Sequence, residues 1–331
     1  MKTFMFLIML TMAMAGPALS DSSNILTIYT YDSFATNWGS GPVIKKAFEA
    51  KCDCTLNLVA LDNGVTMLNR LRLEGKKSKA DVLLGLDTNL MAEAKITGLL
   101  ATHNVNTEAL TLPNGWKDAT FIPYDYGYLA FIYDKTKLQN PPKSLKKLVE
   151  TRDDISVIYQ DPRTSTPGQN LMLWMKSIYG DDVSNAWQQL AKKTVTVTKS
   201  WSEAYSMFLK GESDMVLSYT TSPAYHLIAE KNSNFASANF DEGHYMQVEV
   251  AAKVKSSKNQ ALADAFMQFI LSDEFQNAIP TGNWMYPVTN IKLPDSFSSL
   301  LVPTNNLQFT PENVADNRSR WIREWQSALV K

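Results

Sequence analysis

Cysteine and histidine are scarce in this chain of 331 residues, which contains two cysteines and three histidines. The cysteines, Cys52 and Cys54, are separated by one residue, and two thiols do not make the framework of a disulfide-rich domain. Their spacing favours a structural or bridged pair over a metal site, because a structural metal site needs further Cys or His ligands and the histidines are scattered. A nucleophilic thiol would need an activating neighbour, and none lies nearby in the sequence.

An excess of positive charge is also absent. The chain has 32 Lys and Arg against 33 Asp and Glu, for a formal net charge of −1. A nucleic-acid-binding surface is normally basic, so the composition argues against a nucleic acid partner. The sequence contains no G-x-x-x-x-G-K-[ST] motif, and therefore no nucleotide-binding P-loop is predicted. No internal repeat is visible either.

Long apolar runs are missing beyond the N-terminus. There, Lys2 precedes an apolar run from Phe4 to Leu10 that leads into small residues. This pattern predicts a secretory signal peptide at residues 1–20, too short to span a membrane, with cleavage before Asp21. No lipobox cysteine follows the apolar run, so we expect a soluble exported protein rather than a lipoprotein.

The remaining sequence alternates strand and helix patterns. Apolar or alternating runs predict strands at 25–31, 55–61, 81–86, 128–133, 155–159, 194–198 and 214–219. Helical spacing predicts helices at 43–50, 64–75, 167–179, 184–193, 200–212, 223–230, 259–279 and 317–330. This order implies an α/β fold with parallel sheets covered by helices, and the length implies about two domains. We therefore predict two lobes that face each other across a cleft.

Hydroxyl side chains occur where predicted strands end and helices begin. Thr166-Pro167 and Ser222-Pro223 each resemble an N-cap followed by proline at the first helical position. A helix N-terminus offers free N–H groups that can bind an anion. Taken singly, each is best explained as an ordinary cap. Their recurrence at predicted strand ends, where α/β sheets bind ligands, favours an anion site.

Aromatic residues recur in or beside the same predicted loops. They are Tyr31, Trp38, Trp201, Tyr219, Tyr225 and Trp284. Core packing would explain any one of these rings. Together they indicate a site that stacks on a flat heterocycle or contacts a cation through the ring faces. Combined with an anion site, they suit a ligand with a cationic or flat ring and a phosphate tail.

Five stretches, in this order, carry a resemblance to a known family: TYDSFATNWGSGP, QDPRTSTPG, TVTVTKSWSEAY, LSYTTSPAYH and PTGNWMYPV. They resemble the periplasmic thiamine-binding proteins of bacterial ABC importers, over essentially the whole mature chain. That family belongs to the two-lobed solute-binding proteins, which also include ferric-ion-binding proteins, and is related in structure to thiaminase I. The resemblance implies that the ligand lies between lobe 1 (21–123 and 248–290) and lobe 2 (124–247 and 291–331), each a sheet flanked by helices.

The resemblance also implies a function without catalysis or a cofactor. The protein would capture thiamine and its mono- and diphosphate in the periplasm and deliver them, as a monomer, to an inner-membrane ABC permease with its ATPase subunit. The implied ligand contacts are Asn63, Gly64, Ser165, Thr166, Trp201, Tyr219, Thr220, Thr221 and Ser222. Further cleft candidates are Tyr31, Asp32, Trp38, Tyr225 and Trp284.

As a hypothesis, Trp201, Tyr225 and Trp284 hold the two thiamine rings by stacking and cation–π contact. Asn63, Gly64 or Asp32 would hydrogen-bond to the edge of the pyrimidine. Ser165, Thr166 and the backbone of Tyr219–Ser222 would hold the hydroxyethyl arm or its phosphate.

Two alternatives belong to other classes of function. A thiaminase I-like enzyme needs a cysteine nucleophile in the cleft, but Cys52 and Cys54 are predicted at the opposite end of the sheet from the cleft. A ferric-ion-binding protein needs converging anionic oxygen ligands, and related binders use neighbouring tyrosines. Tyr219 and Tyr225 lie six positions apart, and no Tyr-Tyr pair occurs.

Overall fold

A computed structural model of the protein describes residues 24–152 and 154–330. The predicted signal peptide, residues 1–20, lies outside the described residues.

Twelve strands and twelve α-helices follow one another in these residues. The strands are β1 (Ile25–Tyr31), β2 (Thr55–Leu61), β3 (Val82–Asp87), β4 (Leu100–Ala101), β5 (Phe121–Asp134), β6 (Val157–Gln160), β7 (Thr194–Thr198), β8 (Met215–Tyr219), β9 (Phe235–Ser237), β10 (His244–Val254), β11 (Tyr286–Pro287) and β12 (Asn306–Leu307). The helices are α1 (Asp32–Ala35), α2 (Gly41–Cys52), α3 (Gly64–Glu74), α4 (Met91–Ile96), α5 (Leu145–Thr151), α6 (Thr166–Tyr179), α7 (Val183–Ala191), α8 (Trp201–Leu209), α9 (Pro223–Tyr225), α10 (Gln260–Phe269), α11 (Asp273–Gln276) and α12 (Pro311–Leu329).

The sheet is mixed, with the strand order β2-β1-β3-β10-β5-β8-β6-β7. Strands β1, β2 and β3 are parallel and form a first half-sheet, and β6, β7 and β8 are parallel and form a second one. Between them, β10 is antiparallel to both β3 and β5, and β5 is antiparallel to β8. The prediction of parallel sheets is therefore wrong for the two central strands. A strand that is buried on both faces has the same apolar pattern in either direction, so periodicity could not reveal this.

The two central strands connect the half-sheets. The first part of β5 pairs with β10, and its last part, Leu129–Tyr133, pairs with β8. Only residues 128–133 were predicted as a strand here, so the prediction did not include the first part of β5, which begins at Phe121. That segment contains Pro123, which lowers strand propensity but lies beside a bulge.

Both half-sheets are covered on both faces, as the α/β prediction requires. Alternate residues of β3 enter different apolar clusters, with Leu83 in one and Val82 and Leu84 in the other. In the second half-sheet, Val157 and Ile158 of β6 divide in the same way. This alternation follows from the period of two in a strand and identifies a sheet flanked by helices.

The C-terminal region packs against both parts of the molecule. Phe297 and Leu300 belong to a cluster of the first half-sheet. Helix α12, in contrast, places Trp321 and Trp325 in a cluster of the second half-sheet. The lobe boundaries 21–123 with 248–290 and 124–247 with 291–331 stay predictions.

Two predicted helices differ from those observed. The expected helix at 223–230 is only the three-residue α9, continued by a π-helical turn, His226–Glu230. The expected helix at 259–279 is broken, because α10 ends at Phe269 and Ser272 caps the separate helix α11 by accepting a hydrogen bond from the Phe275 amide. Serine at an N-cap favours the start of a new helix, and apolar periodicity alone does not reveal such a break.

Candidate ligand-binding site

A cavity of about 380 Å³ lies at the carboxyl ends of the parallel strands. Its wall is formed by the end of β1 and the start of α1, the loop between β2 and α3, the starts of α6 and α8, the end of β8 and the segment 282–285. This is the edge at which α/β sheets bind ligands, because the helices that follow the strands begin there. The cavity is of a size that holds a small organic molecule.

The structure brings most of the sequence-predicted residues together around this cavity. Those that line it are Tyr31, Asp32, Trp38, Asn63, Gly64, Ser165, Thr166, Trp201, Tyr219, Ser222, Tyr225 and Trp284. Thr220 and Thr221 lie behind the cavity wall and are completely buried. The backbone amide of Thr220 donates to the Tyr128 carbonyl at 2.8 Å, so its position is determined by the sheet.

The start of α6 presents hydroxyls that do not cap their own helix. Ser165 occupies the N-cap position, but its side chain makes no capping hydrogen bond. The hydroxyls of Ser165 and Thr166 are buried without a hydrogen-bond partner among the described residues. A buried polar atom without a partner is costly, and a bound ligand can supply the missing one. Together with the positive end of the α6 dipole, these hydroxyls suit a hydroxyl or phosphate group.

The loop before α3 contributes a similar group. Asn63 caps α3 by accepting a hydrogen bond from the Thr66 amide at 3.2 Å, whereas its side-chain nitrogen is buried and unpartnered. Gly64 follows, and a Cβ placed on it would lie 2.4 Å from the Gly85 carbonyl oxygen and 3.0 Å from Thr166 Oγ1. Glycine is therefore required sterically, and it brings the starts of α3 and α6 into contact.

The second predicted helix start is arranged differently. Because α9 is a single turn, Ser222 does not present a helix N-terminus of useful length. Its hydroxyl accepts from the Tyr219 amide and shares a hydrogen bond of 2.7 Å with Ser218 Oγ. Ser218 in turn accepts from Trp201 Nε1 at 2.7 Å. The Ser222 hydroxyl thus helps to orient the Trp201 ring.

The aromatic residues form two groups in the cavity wall. Trp201 stacks on Tyr205, with ring centroids 5.0 Å apart, and Tyr225 meets Trp284 edge to face at 5.3 Å. Trp284 has a φ of 56°, which is rare for a bulky residue, and follows the π-helical turn Ile279–Asn283. Such turns and strained residues are frequent at functional sites. Tyr205 was not predicted as a site residue, although it lies one helical turn from Trp201 and so on the same face.

One acidic residue of the cavity wall, Glu249, was not among the predicted site residues. It lies in β10, is buried, and accepts hydrogen bonds from Tyr31 Oη at 2.6 Å and Tyr124 Oη at 2.7 Å. Burial raises the pKa of Glu249, and burial together with the charge of Glu249 raises the pKa of neighbouring Asp125 well above its usual value. The available signal was an acidic residue within an otherwise apolar strand.

Asp32 and Asp62 stand at the rim of the same cavity. Asp32 is half-buried, and its pKa is raised mainly by burial and further by the charge of Asp62, which is exposed. The rim is therefore acidic as well as the interior.

Cys52 and Cys54 form a disulfide at the end of α2. Neither cysteine lines the cavity. In the described part of the chain, no group of three or more His, Cys, Asp or Glu residues could hold a metal ion. Within residues 24–152 and 154–330, every helix is too short or too polar to span a bilayer.

Comparison with known proteins identifies relatives over almost the whole chain. The model of the family described as bacterial extracellular solute-binding protein matches residues 41–277. The chain is 64% identical over 307 residues to the thiamine-binding periplasmic protein of Escherichia coli (strain K12), covering 93% of this chain and 94% of that protein. It is 46% identical over 334 residues to the protein of the same name from Haemophilus influenzae (strain ATCC 51907 / DSM 11121 / KW20 / Rd), covering 100% of both.

Solved structures agree with these matches. A periplasmic thiamin binding protein superimposes with a TM-score of 0.91 at 64% identity, covering 92% of this chain and 96% of that one. A ferric binding protein from Campylobacter jejuni superimposes with a TM-score of 0.76 at 20% identity, covering 92% of this chain and 99% of that one, and this shows a common fold alone. The predicted two-lobed α/β fold and the resemblance to solute-binding proteins are confirmed. The chain belongs to the bacterial extracellular solute-binding protein family.

Proposed function

We propose that the protein captures thiamine, with its mono- and diphosphate, in the periplasm and delivers it to an inner-membrane ABC permease and its ATPase subunit. One observation carries this proposal: a single cavity combines aromatic walls, a buried carboxylate and the hydroxyl-bearing start of a helix. Thiamine has a cationic thiazolium, a flat aminopyrimidine and an arm that can carry phosphate, so each part has a matching group. The names of the relatives support the same ligand.

The aromatic residues would hold the ring systems. Trp201 is positioned by its stack on Tyr205 and its hydrogen bond to Ser218, and these two contacts fix the plane of the indole. Trp284 and Tyr225 support each other at another part of the wall. Pre-positioned rings lose little conformational freedom on binding, so each stacking or cation–π contact contributes about 0.5–2 kcal/mol.

The polar side chains would hold the edge of the pyrimidine and the arm. The unpartnered Asn63 side-chain nitrogen can donate to the ring, while Asp32 lies at the rim as a further partner. Ser165 and Thr166 can donate to the arm hydroxyl or to a phosphate, and the α6 dipole favours the phosphorylated forms. Gly64 brings the two groups close together.

Binding without catalysis fits the positions of the cysteines. A thiaminase-like reaction would need a thiol at the cavity, whereas Cys52 and Cys54 are joined to each other elsewhere. Ferric ion would need converging anionic oxygen ligands, and the described residues contain no group of three or more His, Cys, Asp or Glu that could hold a metal ion.

Calorimetric titration with thiamine, its monophosphate and its diphosphate tests the proposal. We expect binding of all three, and Trp201→Ala should weaken it by roughly 2- to 30-fold, the equivalent of one ring contact. Trp116→Ala is the matched control, because Trp116 bonds to the Phe121 carbonyl and does not line the cavity. Absence of binding by the unaltered protein would refute the function, and unchanged affinity in Trp201→Ala would remove Trp201 from the site. Native mass spectrometry of a periplasmic extract should show the same ligand and confirm the compartment.

A further inference from the structure

Two carboxyl groups face each other across neighbouring strands beside the cavity. Glu249 of β10 is directly opposite Asp125 of β5 in the register. The register of this pair shifts immediately afterwards, because Val250 pairs with Pro123 and leaves Tyr124 as an extra residue. A bulge of this kind redirects side chains, and here it lets Tyr124 donate to the same carboxylate that Asp125 faces. Directly opposite residues in an antiparallel pair have Cβ atoms about 5 Å apart.

The hydrogen bonds of the pair come from neutral donors. Glu249 Oε2 accepts from the hydroxyls of Tyr31 and Tyr124 and, at 3.4 Å, from Asn283 Nδ2. Its Oε1 accepts from Gln247 Nε2 at 3.0 Å. Asp125 Oδ2 accepts from Asn283 Nδ2, and its other oxygen has no partner. Among the residues that the structure describes, no Lys, Arg or His forms an ion pair with either carboxyl.

Two like charges at this separation cannot both be present in a buried site, so the pair retains a proton. Burial and the charge of Glu249 raise the pKa of Asp125 well above its usual value, whereas four donors favour the ionised form of Glu249. The pair thus carries one negative charge, mainly on the member that lines the cavity. That charge is desolvated and uncompensated, which makes it a strong attractor for a cation.

Other acidic groups near the cavity are more strongly screened. Asp62 is exposed and Asp32 is half-buried at the rim, where water reduces their field. Asp87 is buried at the end of β3 and bonds to Asn89, and it does not line the cavity. Glu249 is the lining residue whose carboxylate is both buried and anchored by several donors.

We propose that the Glu249–Asp125 pair is the counter-ion that makes the cavity select a ligand with a cationic ring over a neutral ring of the same shape. This inference rests on the proposed function and extends it to the basis of ring selection. The aromatic walls accept either kind of ring by stacking and favour a cation only through cation–π contact, so shape alone would discriminate poorly. A fixed buried charge adds to this preference for a cation.

Calorimetry with a matched pair of ligands tests this selection. The probes are thiamine and its analogue in which a neutral thiophene replaces the thiazolium. We expect the unaltered protein to prefer thiamine by about ten- to a hundredfold, the range of a partly screened charge pair in a protein site. Glu249→Gln should lower this ratio, since any charge that moves to Asp125 lies farther from the ligand. The double variant Glu249→Gln with Asp125→Asn should lower it further, to the preference that cation–π contact with the walls leaves, while binding of the neutral analogue persists.

Glu74→Gln is the control substitution. Glu74 is also a carboxylate that accepts from a tyrosine, Tyr29 Oη at 3.0 Å, but it pairs with Arg70 away from the cavity. Its variant should retain the thiamine preference.

The outcomes distinguish the counter-ion role of the Glu249–Asp125 pair from thiamine binding itself. An unchanged ratio in the double variant, with the neutral analogue still bound, would overturn the counter-ion role and leave the function intact. Should the double variant fail to fold, an unchanged ratio in Glu249→Gln would overturn it equally. Failure of the unaltered protein to bind thiamine would instead remove the proposed function, and this inference with it.

Discussion

The hydroxyl of Thr166 provides a test in which stability and binding should change in opposite directions. Thr166 and Thr198 are both 4% exposed, but they differ in hydrogen bonding. Thr198 Oγ1 donates to the Ser200 carbonyl at 2.9 Å, whereas Thr166 Oγ1 has no partner among the described residues. Valine has nearly the same shape as threonine and lacks the hydroxyl. Substituting each residue by valine therefore compares the energetic contribution of a buried hydroxyl without a hydrogen-bond partner with that of a hydroxyl that has one.

The expected effects on the ligand-free protein have opposite signs. An unsatisfied buried polar group costs about 1–3 kcal/mol, so Thr166→Val should increase the free energy of unfolding by about 1–2 kcal/mol. Thr198→Val removes the hydrogen bond to the Ser200 carbonyl, which keeps only the longer bond of 3.3 Å from the Ala204 amide. It should therefore lower that free energy by about 1 kcal/mol.

Ligand binding should show the reverse order. If Thr166 donates to the phosphate, its removal costs a hydrogen bond to a charged group, worth about 1.5–3 kcal/mol, or roughly 10- to 150-fold in affinity for the phosphorylated forms. Thiamine itself, with a neutral hydroxyl, should lose about 0.5–1.5 kcal/mol. Thr198 does not line the cavity, and its variant should bind as the unaltered protein does.

Urea unfolding with and without ligand, combined with calorimetry, measures both quantities. Two results would refute the reasoning. Destabilisation of the ligand-free protein by Thr166→Val would show that the hydroxyl is already satisfied. Unchanged affinity for the mono- and diphosphate would show that it does not contact the arm.

Three further predictions concern other parts of the molecule. Gly64→Ala should weaken binding and lower stability by about 1–3 kcal/mol, because the new Cβ meets the Gly85 carbonyl at 2.4 Å; equal affinity by calorimetry would contradict this. Burial raises the pKa of Asp87 to about 6 in the folded protein, above its usual value of 3.8. The folded state is therefore stabilised while Asp87 is protonated, fully below pH 4, and this stabilisation is lost as the pH rises through 6. Relative to Asp87→Asn, the unaltered protein should therefore lose roughly 2–3 kcal/mol of unfolding free energy between pH 3.8 and 7, and parallel pH curves for the two proteins would refute it. Replacing both Cys52 and Cys54 by serine should cost about 2 kcal/mol or less, because the closed loop is short, and should leave thiamine affinity unchanged; a large loss of affinity would place the disulfide in the site.

Much of the site could be derived from the sequence because of a geometric rule. Residues that follow parallel strands meet at one edge of the sheet, so knowing where strands end is enough to group Asn63, Ser165 and Trp201. The strand ends were clear, since β1, β2 and β7 are bounded as their patterns predict. Chemistry in loops and helix starts is therefore visible from local pattern.

Residues that act from within the sheet were not visible in this way. Glu249 lies in β10, a strand with every residue buried, and its role depends on the register that sets it opposite Asp125. That register depends on a bulge and on antiparallel pairing between segments more than a hundred residues apart. No local pattern carries this information, because cross-strand partners are chosen by the packing of the whole sheet.

The sequence by itself determined the α/β alternation, the edge at which the site lies, and the kinds of side chain gathered there. The tertiary structure decided how those side chains are used. Ser165 could have capped α6, but its hydroxyl has no hydrogen-bond partner among the described residues, and Ser222 instead orients Trp201 through Ser218. The physical reason is that a hydrogen-bonding group has several possible partners, and only the packed fold settles which of them lie within reach.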